Sequence, residues 1–271
     1  MNRRNVKWLP ILAAGLIFAW QYFSSEKFVN PETGRKSKVG MSVEQEAALG
    51  FQSYRQVLAQ ARTIDSGPQF DMVATVASKL AAATGETGRK FEWQVSLLED
   101  EKVNAFCLPG GKIVVYTGIL PVAQTWAGLA TVMGHEMAHA TSRHGAQRVL
   151  QQNLTQTAMT GLAVSLSDMD YEKQRAIMGA LGAGAQFGIL MPFGRQHETE
   201  ADEIGLMYMA RAGYDPRESL KFWQRMDRAG GAGPPEFLST HPSHGTRIQQ
   251  LQALMPKAVE VYERARERSP Q

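Results

Sequence analysis

Two histidines four residues apart, with a glutamate directly after the first, stand at His135-Glu136-Met137-Ala138-His139. On a helix, positions i and i+4 share one face a turn apart, so both imidazoles can bind one Zn2+ through nitrogen. Glu136 then sits where it can reach a metal-bound water without displacing it, as a general base in metal-assisted hydrolysis must. The surrounding residues Leu129, Val132, Met133, Met137 and Ala138 are apolar, so the pair is predicted to be buried. Two buried imidazoles without a metal or hydrogen-bond partners are costly, which disfavours a surface pair.

Catalytic zinc needs a third protein ligand and an open fourth position. The stretch His197-Glu198-Thr199-Glu200-Ala201-Asp202 reads as a helix continuing through Leu206, Met207 and Met209. Glu198 and Asp202 share a face. Glu198 is the predicted ligand, and Asp202 the acceptor that fixes the tautomer of a ligand histidine. Glu200 is expected to point elsewhere. Alone, this stretch would be a solvated acidic helix; the histidine pair draws it into a site. Two histidines and a carboxylate also suit non-haem iron, but a glutamate between the histidines favours hydrolysis.

Other elements must position these helices. Ser42 opens a helix in capping-box form, with Gln45 three residues on, and Val43, Ala47, Phe51, Tyr54 and Leu58 continue at helical spacing. A second helix is predicted over 71–83. The period then changes. Phe91, Trp93, Val95 and Leu97 alternate as in a half-buried strand, and VNAFCL and KIVVYTG flank a PGG turn as a hairpin would. Helical spacing returns from Pro121 to His144. Three strands between helices give an α+β layout.

From Trp8 to Ser25 there is no charge, a run of about 18 residues or about 27 Å as a helix, close to a hydrocarbon core. Trp8 stands at one end, Trp20 and Tyr22 at the other, and Arg3, Arg4 and Lys7 precede it. The run reads as an uncleaved anchor, because no small-x-small cleavage site follows it. The basic flank puts residues 1–7 in the cytoplasm and the rest of the chain outside. Residues 149–167 and 176–194 are also free of charge but only weakly apolar. They read as a buried or membrane-grazing helical pair, since Gln151, Gln152, Asn153 and Gln156 are costly in lipid.

The net charge of +3 is spread along 271 residues without a dense basic block, so no nucleic-acid partner is expected. Cys107 is the single cysteine. It excludes an intrachain disulfide and reads as a small core residue.

Taken together, HEMAH at 135–139 and ETEAD at 198–202 resemble the membrane-associated zinc peptidases, the family of the HtpX heat-shock protease, the type I CAAX prenyl protease, the mitochondrial Oma-type peptidase and BepA. The stretches 30–50, 103–120 and 240–247 extend the likeness to the Oma-type and BepA branch. The resemblance implies a mainly helical zincin of the gluzincin type with a small β-sheet, one zinc ion, and Glu198 as third ligand. It implies an endopeptidase acting on misfolded or unassembled membrane or envelope polypeptides; an assembly factor using the cleft without proteolysis is the alternative. His241 matches a histidine that fills the open metal position and holds the enzyme latent. Arg247 would steady the oxyanion or pair with a site carboxylate. Asn104 and Ala105 would lie on a strand that pairs with substrate backbone. His144, His197 and His244 are left as structural. The domain plan is an anchor over 1–25, a linker over 26–41, a peptidase domain over 42–260 and a charged tail over 261–271.

Overall fold

The computed structural model describes residues 7–229, 235–241 and 245–268, without the side chains of Phe187 and Pro192. Arg3, Arg4, Pro242, His244 and the last three residues of the expected tail lie outside them.

In chain order, α1 (Trp8–Ser24) leads into β1 (Glu26–Val29) and β2 (Lys36–Val39). Next come α2 (Val43–Leu58), β3 (Thr63–Ile64), α3 (Pro68–Ala83) and the one-turn α4 (Gly85–Gly88). The strands β4 (Gln94–Leu98), β5 (Ala105–Leu108) and β6 (Lys112–Tyr116) precede α5 (Leu120–Ala123) and α6 (Trp126–Thr141). Then follow α7 (His144–Ser165), α8 (Tyr171–Ala185), a π-helical turn (Gln186–Leu190) and α9 (Met191–Arg211). The chain ends with α10 (Glu218–Arg228), α11 (Glu236–Thr240) and α12 (Arg247–Arg268). The architecture is mainly helical with a small sheet. Two compact units divide it. One is drawn from Met1–Asn30, Gly34–Ser42 and Gly145–Gln196, the other from Pro31–Thr33, Val43–His144 and His197–Gln271.

In the second unit the sheet runs β3-β4-β6-β5. The β4–β6 pair is parallel, and β5 joins β6 as the antiparallel hairpin expected around Pro109-Gly110-Gly111. Gly110 and Gly111 both have positive φ (80° and 89°), which is why the turn takes glycine twice. The two-residue β3 was not foreseen; at that length alternation leaves no signal. The strand predicted from Phe91 starts only at Gln94, because Phe91 and Trp93 stack on each other, rings 5.0 Å apart. The core joins Val76 and Leu80 of α3, Leu97 and Val115 of the sheet, Leu129 and Met133 of α6, Tyr208 of α9 and Phe222 of α10. Helix α6 runs through its middle, almost wholly buried, as its apolar all-round sequence requires. Its first turn is capped by Thr125, whose hydroxyl accepts from the Gly128 N–H at 2.9 Å.

The first unit is built on α1 lying antiparallel to α7. The Lys7 N–H donates to the Ser165 carbonyl, and the Lys7 ammonium pairs with Asp168 at 2.9 Å. Further along, a Cβ on Gly161 would fall 2.3 Å from that of Ala14, so glycine is what lets these helices touch. No described residue of α1 is buried; Leu9, Leu12, Leu16 and Trp20 stand in the open. Among the described residues, one helical stretch, Tyr171–Arg211, is long and apolar enough by length and composition to cross a membrane, and α1 is a shorter apolar helix. One expectation is corrected here and another narrowed. The polar stretch 26–41 is a β1–β2 hairpin, not a linker, paired from Glu26↔Val39 to Val29↔Lys36. Of the two alternatives for the helices over 149–194, the buried one fails for α8, which has no buried residue among those described, although α7 buries Leu150 and Leu154; the membrane-grazing alternative is not contradicted.

Candidate active site

Helices α6 and α9 cross backbone to backbone. A Cβ on Gly205 would lie 2.8 Å from the His135 nitrogen, and one on Gly134 would lie 3.0 Å from the Gly205 carbonyl oxygen. That contact brings Glu198 of α9 onto the histidine face of α6. The Nε2 atoms of His135 and His139 are 3.1 Å apart. Glu198 Oε2 is 3.3 Å from His135 Nε2, and Glu198 Oε1 is 3.4 Å from His139 Nε2. His241, just past α11, adds Nδ1 at 3.1 Å from Glu198 Oε1 and 3.4 Å from His135 Nε2. Four ligand atoms, from His135, His139, Glu198 and His241, thus lie within 4.8 Å of one another.

These separations can be tested against a metal. Tetrahedral zinc with bonds of about 2.0–2.1 Å sets its ligand atoms about 3.3 Å apart. The edges of the cluster, between 3.1 and 3.4 Å, scatter around that length. The donor set fits a zinc-sized cation.

Behind the cluster, Asp202 Oδ1 is 2.9 Å from His135 Nδ1, although ring N–H and oxygen are imperfectly aligned. Burial pushes the His135 ring toward neutrality, but Asp202 and Glu198 outweigh it and hold its pKa at about 10. The two carboxylates that favour a proton on this ring would favour a metal cation beside it in the same way. Burial opposes the Glu198 charge too, yet hydrogen bonds from His135 and His241 hold its carboxyl well below the usual range. Burial, aided by the neighbouring His135, His144 and His241 rings, drives His139 well down, which leaves its nitrogen free to donate a lone pair.

His144, left as structural, and Glu200, expected to point away from the face shared by Glu198 and Asp202, meet each other beside the cluster. His144 Nε2 is 2.9 Å from Glu200 Oε2, and His144 Nδ1 is 2.8 Å from His139 Nδ1. Glu200 also accepts from the Thr33 hydroxyl at 2.6 Å. A carboxylate can only accept, so His144 Nε2 carries the proton and its Nδ1 accepts from His139 Nδ1–H. His139 Nε2 is then left bare toward the cluster. His197 stacks flat on His144, rings 4.0 Å apart. The turn that makes this possible holds Arg143 at φ 56°, a strained conformation for a non-glycine residue, pinned by Glu46 at 2.7 Å. Helical spacing could not show it, because His144 lies beyond the end of α6. We expect His144→Ala to weaken zinc binding by about 10–100-fold, as loss of such supporting partners does. Titration against a chromogenic chelator reads this, and an unchanged affinity would reduce His144 to a space-filler.

Arg247 is buried rather than at the surface. Its Nε donates to Asp202 Oδ2 at 2.7 Å and its Nη2 to Glu198 Oε2 at 3.1 Å, with the guanidinium 4.0 Å over the Trp223 ring. It is thus a partner of site carboxylates, the second of its two expected roles. The base candidate Glu136 has Oε1 3.4 Å from His241 Nε2 and without a hydrogen bond among the described residues. Burial raises its pKa, and the Cys107 N–H supports its carboxylate. The Cys107 thiol is itself pushed well up by burial, so it is no nucleophile. On the edge strand β5, the Asn104 carbonyl accepts from the Tyr116 N–H of β6, so the Ala105 N–H faces outward and is met by Asn104 Oδ1 at 2.9 Å. The Asn104 amide in turn donates to Glu236 at 3.3 Å. Ala105 therefore presents main chain at the edge, whereas Asn104 presents its side chain.

The family model "Peptidase family M48" matches residues 69–255. The chain is 32% identical over 262 residues to the mitochondrial metalloendopeptidase OMA1 of Schizosaccharomyces pombe, covering 94% of this chain and 74% of that one. It is 31% identical to the protein of that name from Saccharomyces cerevisiae, covering 98% and 79%. It is also 31% identical to the beta-barrel assembly-enhancing protease of Yersinia pestis, covering 80% of this chain and 45% of that one. With its family model spanning most of the sequence, the chain belongs to peptidase family M48 and is a metallopeptidase.

Proposed function

We propose that the protein is a membrane-anchored zinc endopeptidase that cleaves unfolded or unassembled membrane-associated polypeptides. The convergence of His135, His139 and Glu198 lone pairs at the edge lengths of a zinc tetrahedron carries this reading. When bound, zinc supplies Lewis acidity, lowering the pKa of a water in its open position and polarising a carbonyl. Glu136 takes the proton of the attacking water. Its burial-raised pKa brings it nearer neutrality, where a base both accepts and returns protons effectively. It then hands the proton to the leaving amine. Arg247 locks Glu198 and Asp202 in place and balances their charge.

Substrate enters as an extended strand along the outer edge of β5, pairing with the main chain of Ala105 once Asn104 swings aside. Recognition through main chain reads conformation rather than sequence, which suits unfolded clients. His241 stands among the proposed ligand atoms, where it would take the fourth position and would have to leave before substrate enters, so it would hold a latent state. Relatives named as metalloendopeptidase and as assembly-enhancing protease support the endopeptidase reading and the membrane setting. The apolar exposed α1 supports the anchor. Basic residues flank α1 at both ends, Arg3, Arg4 and Lys7 before it and Lys27, Arg35, Lys36 and Lys38 after it, so charge bias alone does not orient it.

Casein hydrolysis by the purified chain should stop when phenanthroline strips the metal and return with about one equivalent of zinc per chain. His241→Ala should then hydrolyse casein faster than wild type. Full activity after metal removal would refute the zinc mechanism; slower hydrolysis by His241→Ala would refute latency alone.

A further inference from the structure

Lys27 and Lys38 face each other across the β1–β2 ladder, and Lys36, opposite Val29, shares their face. Like charges directly opposite destabilise a strand pair, so a face carrying three lysines calls for a counter-ion. Lys38 donates to the Tyr22 carbonyl and lies 4.6 Å over the Tyr22 ring, which ties the hairpin to the end of α1. Arg35 adds a fourth cation, its Nη2 donating to Gln147 at 2.9 Å. Over the hairpin from Glu26 to Val39 and its neighbours at 145–153 and 190–196, Glu26 and Glu32 are the acids, with Glu32 engaged by Arg211 at 2.7 Å, against these four cations, Arg148 and Arg195.

These cations line the mouth of a groove of about 680 Å3 whose floor is apolar, with Leu150, Leu154 and Phe193. Tyr22, Gln151 and Leu154 also line a second groove of about 540 Å3 between α1, α7 and α8. Its walls include Phe18, Ala158, Leu162, Leu181 and Ile189, and no charged side chain. A cationic mouth opening into an uncharged channel matches an anionic headgroup that carries a hydrocarbon chain. The groove is lined by Tyr22, at the end of α1 where the aromatic belt of a spanning helix meets the headgroups.

We propose that this continuous groove binds one anionic glycerophospholipid, its phosphate among Lys27, Arg35, Lys36 and Lys38 and an acyl chain along Phe18, Leu154, Leu162 and Ile189. The proposal rests on the membrane reading of α1, and nothing in the metal site enters it. An acidic peptide would satisfy the mouth but leave the uncharged channel empty, so the lipid is the better match.

The test uses the full chain, delipidated in neutral detergent and titrated with phosphatidylglycerol or phosphatidylcholine, with bound lipid counted by native mass spectrometry. We expect one phosphatidylglycerol per chain and at least tenfold weaker phosphatidylcholine binding. Joint Lys27→Gln, Lys36→Gln and Lys38→Gln exchange should weaken phosphatidylglycerol about a hundredfold, from roughly fivefold per surface charge. Ala158→Trp, which fills the channel without changing charge, should also abolish the single tight site. Equal retention of the two lipids overturns the proposal, as does an anionic preference that survives either variant. Preference lost in the lysine variant but kept in Ala158→Trp means surface attraction only, and also overturns it. Flotation with neutral vesicles tests the membrane reading separately: failure to float removes the anchor, whereas floating without lipid selectivity removes only the groove.

Discussion

Glu136→Gln is expected to keep one zinc per chain while peptide hydrolysis falls by about 10^3-fold or more, within the range that positioned general bases supply. Glutamine keeps the shape of the side chain and can still accept from the Cys107 N–H, so the edge strand and the cluster should stay in place. It cannot take a proton. Glu136 stands outside the four converging ligand atoms, so the metal should bind as before. Its free Oε1 points toward His241, the side from which water and substrate must come. The measurement is kcat on unfolded casein beside zinc content. A variant that cleaves at the wild-type rate would remove Glu136 from the mechanism. One that loses zinc would make it a structural residue instead.

The second large effect is expected at a residue that has no side chain at all. Gly205→Ala would place a methyl 2.8 Å from the His135 nitrogen and 2.9 Å from the carbonyl carbon of Gly134 and the Cα of His135. All three are main-chain atoms of a buried helix, so none can swing aside, and α9 must move off α6. Overpacking of this kind costs about 1–3 kcal/mol, or about 2–12 °C in Tm for a chain of this size. The larger loss is functional. A shift of about 1 Å carries Glu198 and Asp202 away from the histidines, and misplacement on that scale costs about 10^2-fold in rate. Zinc content, Tm and kcat should fall together. Gly145→Ala is the control, because nothing lies within 4 Å of a Cβ there. If Gly205→Ala keeps its zinc and activity, the close helix crossing is not what assembles the site.

The alternation and turn chemistry of 103–118 specify the hairpin because they are local properties, and Gly110 and Gly111 meet the backbone demand directly. The expected linker over 26–41 was misjudged because polar, proline-containing sequence is also what a short exposed hairpin contains; its pairing energy comes from a partner strand that composition does not reveal. For the pair at 149–194 the cost of glutamine in lipid left burial and membrane grazing open, and burial depends on which helices lie against each member: α7 buries Leu150 and Leu154, whereas α8 turns no described side chain into a core.

His135, Glu136 and His139 were determined by sequence alone, since i and i+4 spacing needs only one helix to place two rings together. The choice of Glu198 and Asp202 needed one further assumption, that two helices far apart in the chain meet. What only the tertiary structure decided is everything that depends on that meeting: the glycine contact at Gly134 and Gly205, the seat of Arg247 between two carboxylates, and the Glu200–His144–His139 chain of hydrogen bonds. The reason is physical. Ring tautomers and carboxylate charge are set by atoms within about 3 Å, and in this site those atoms come from segments whose separation along the chain says nothing about their distance in space.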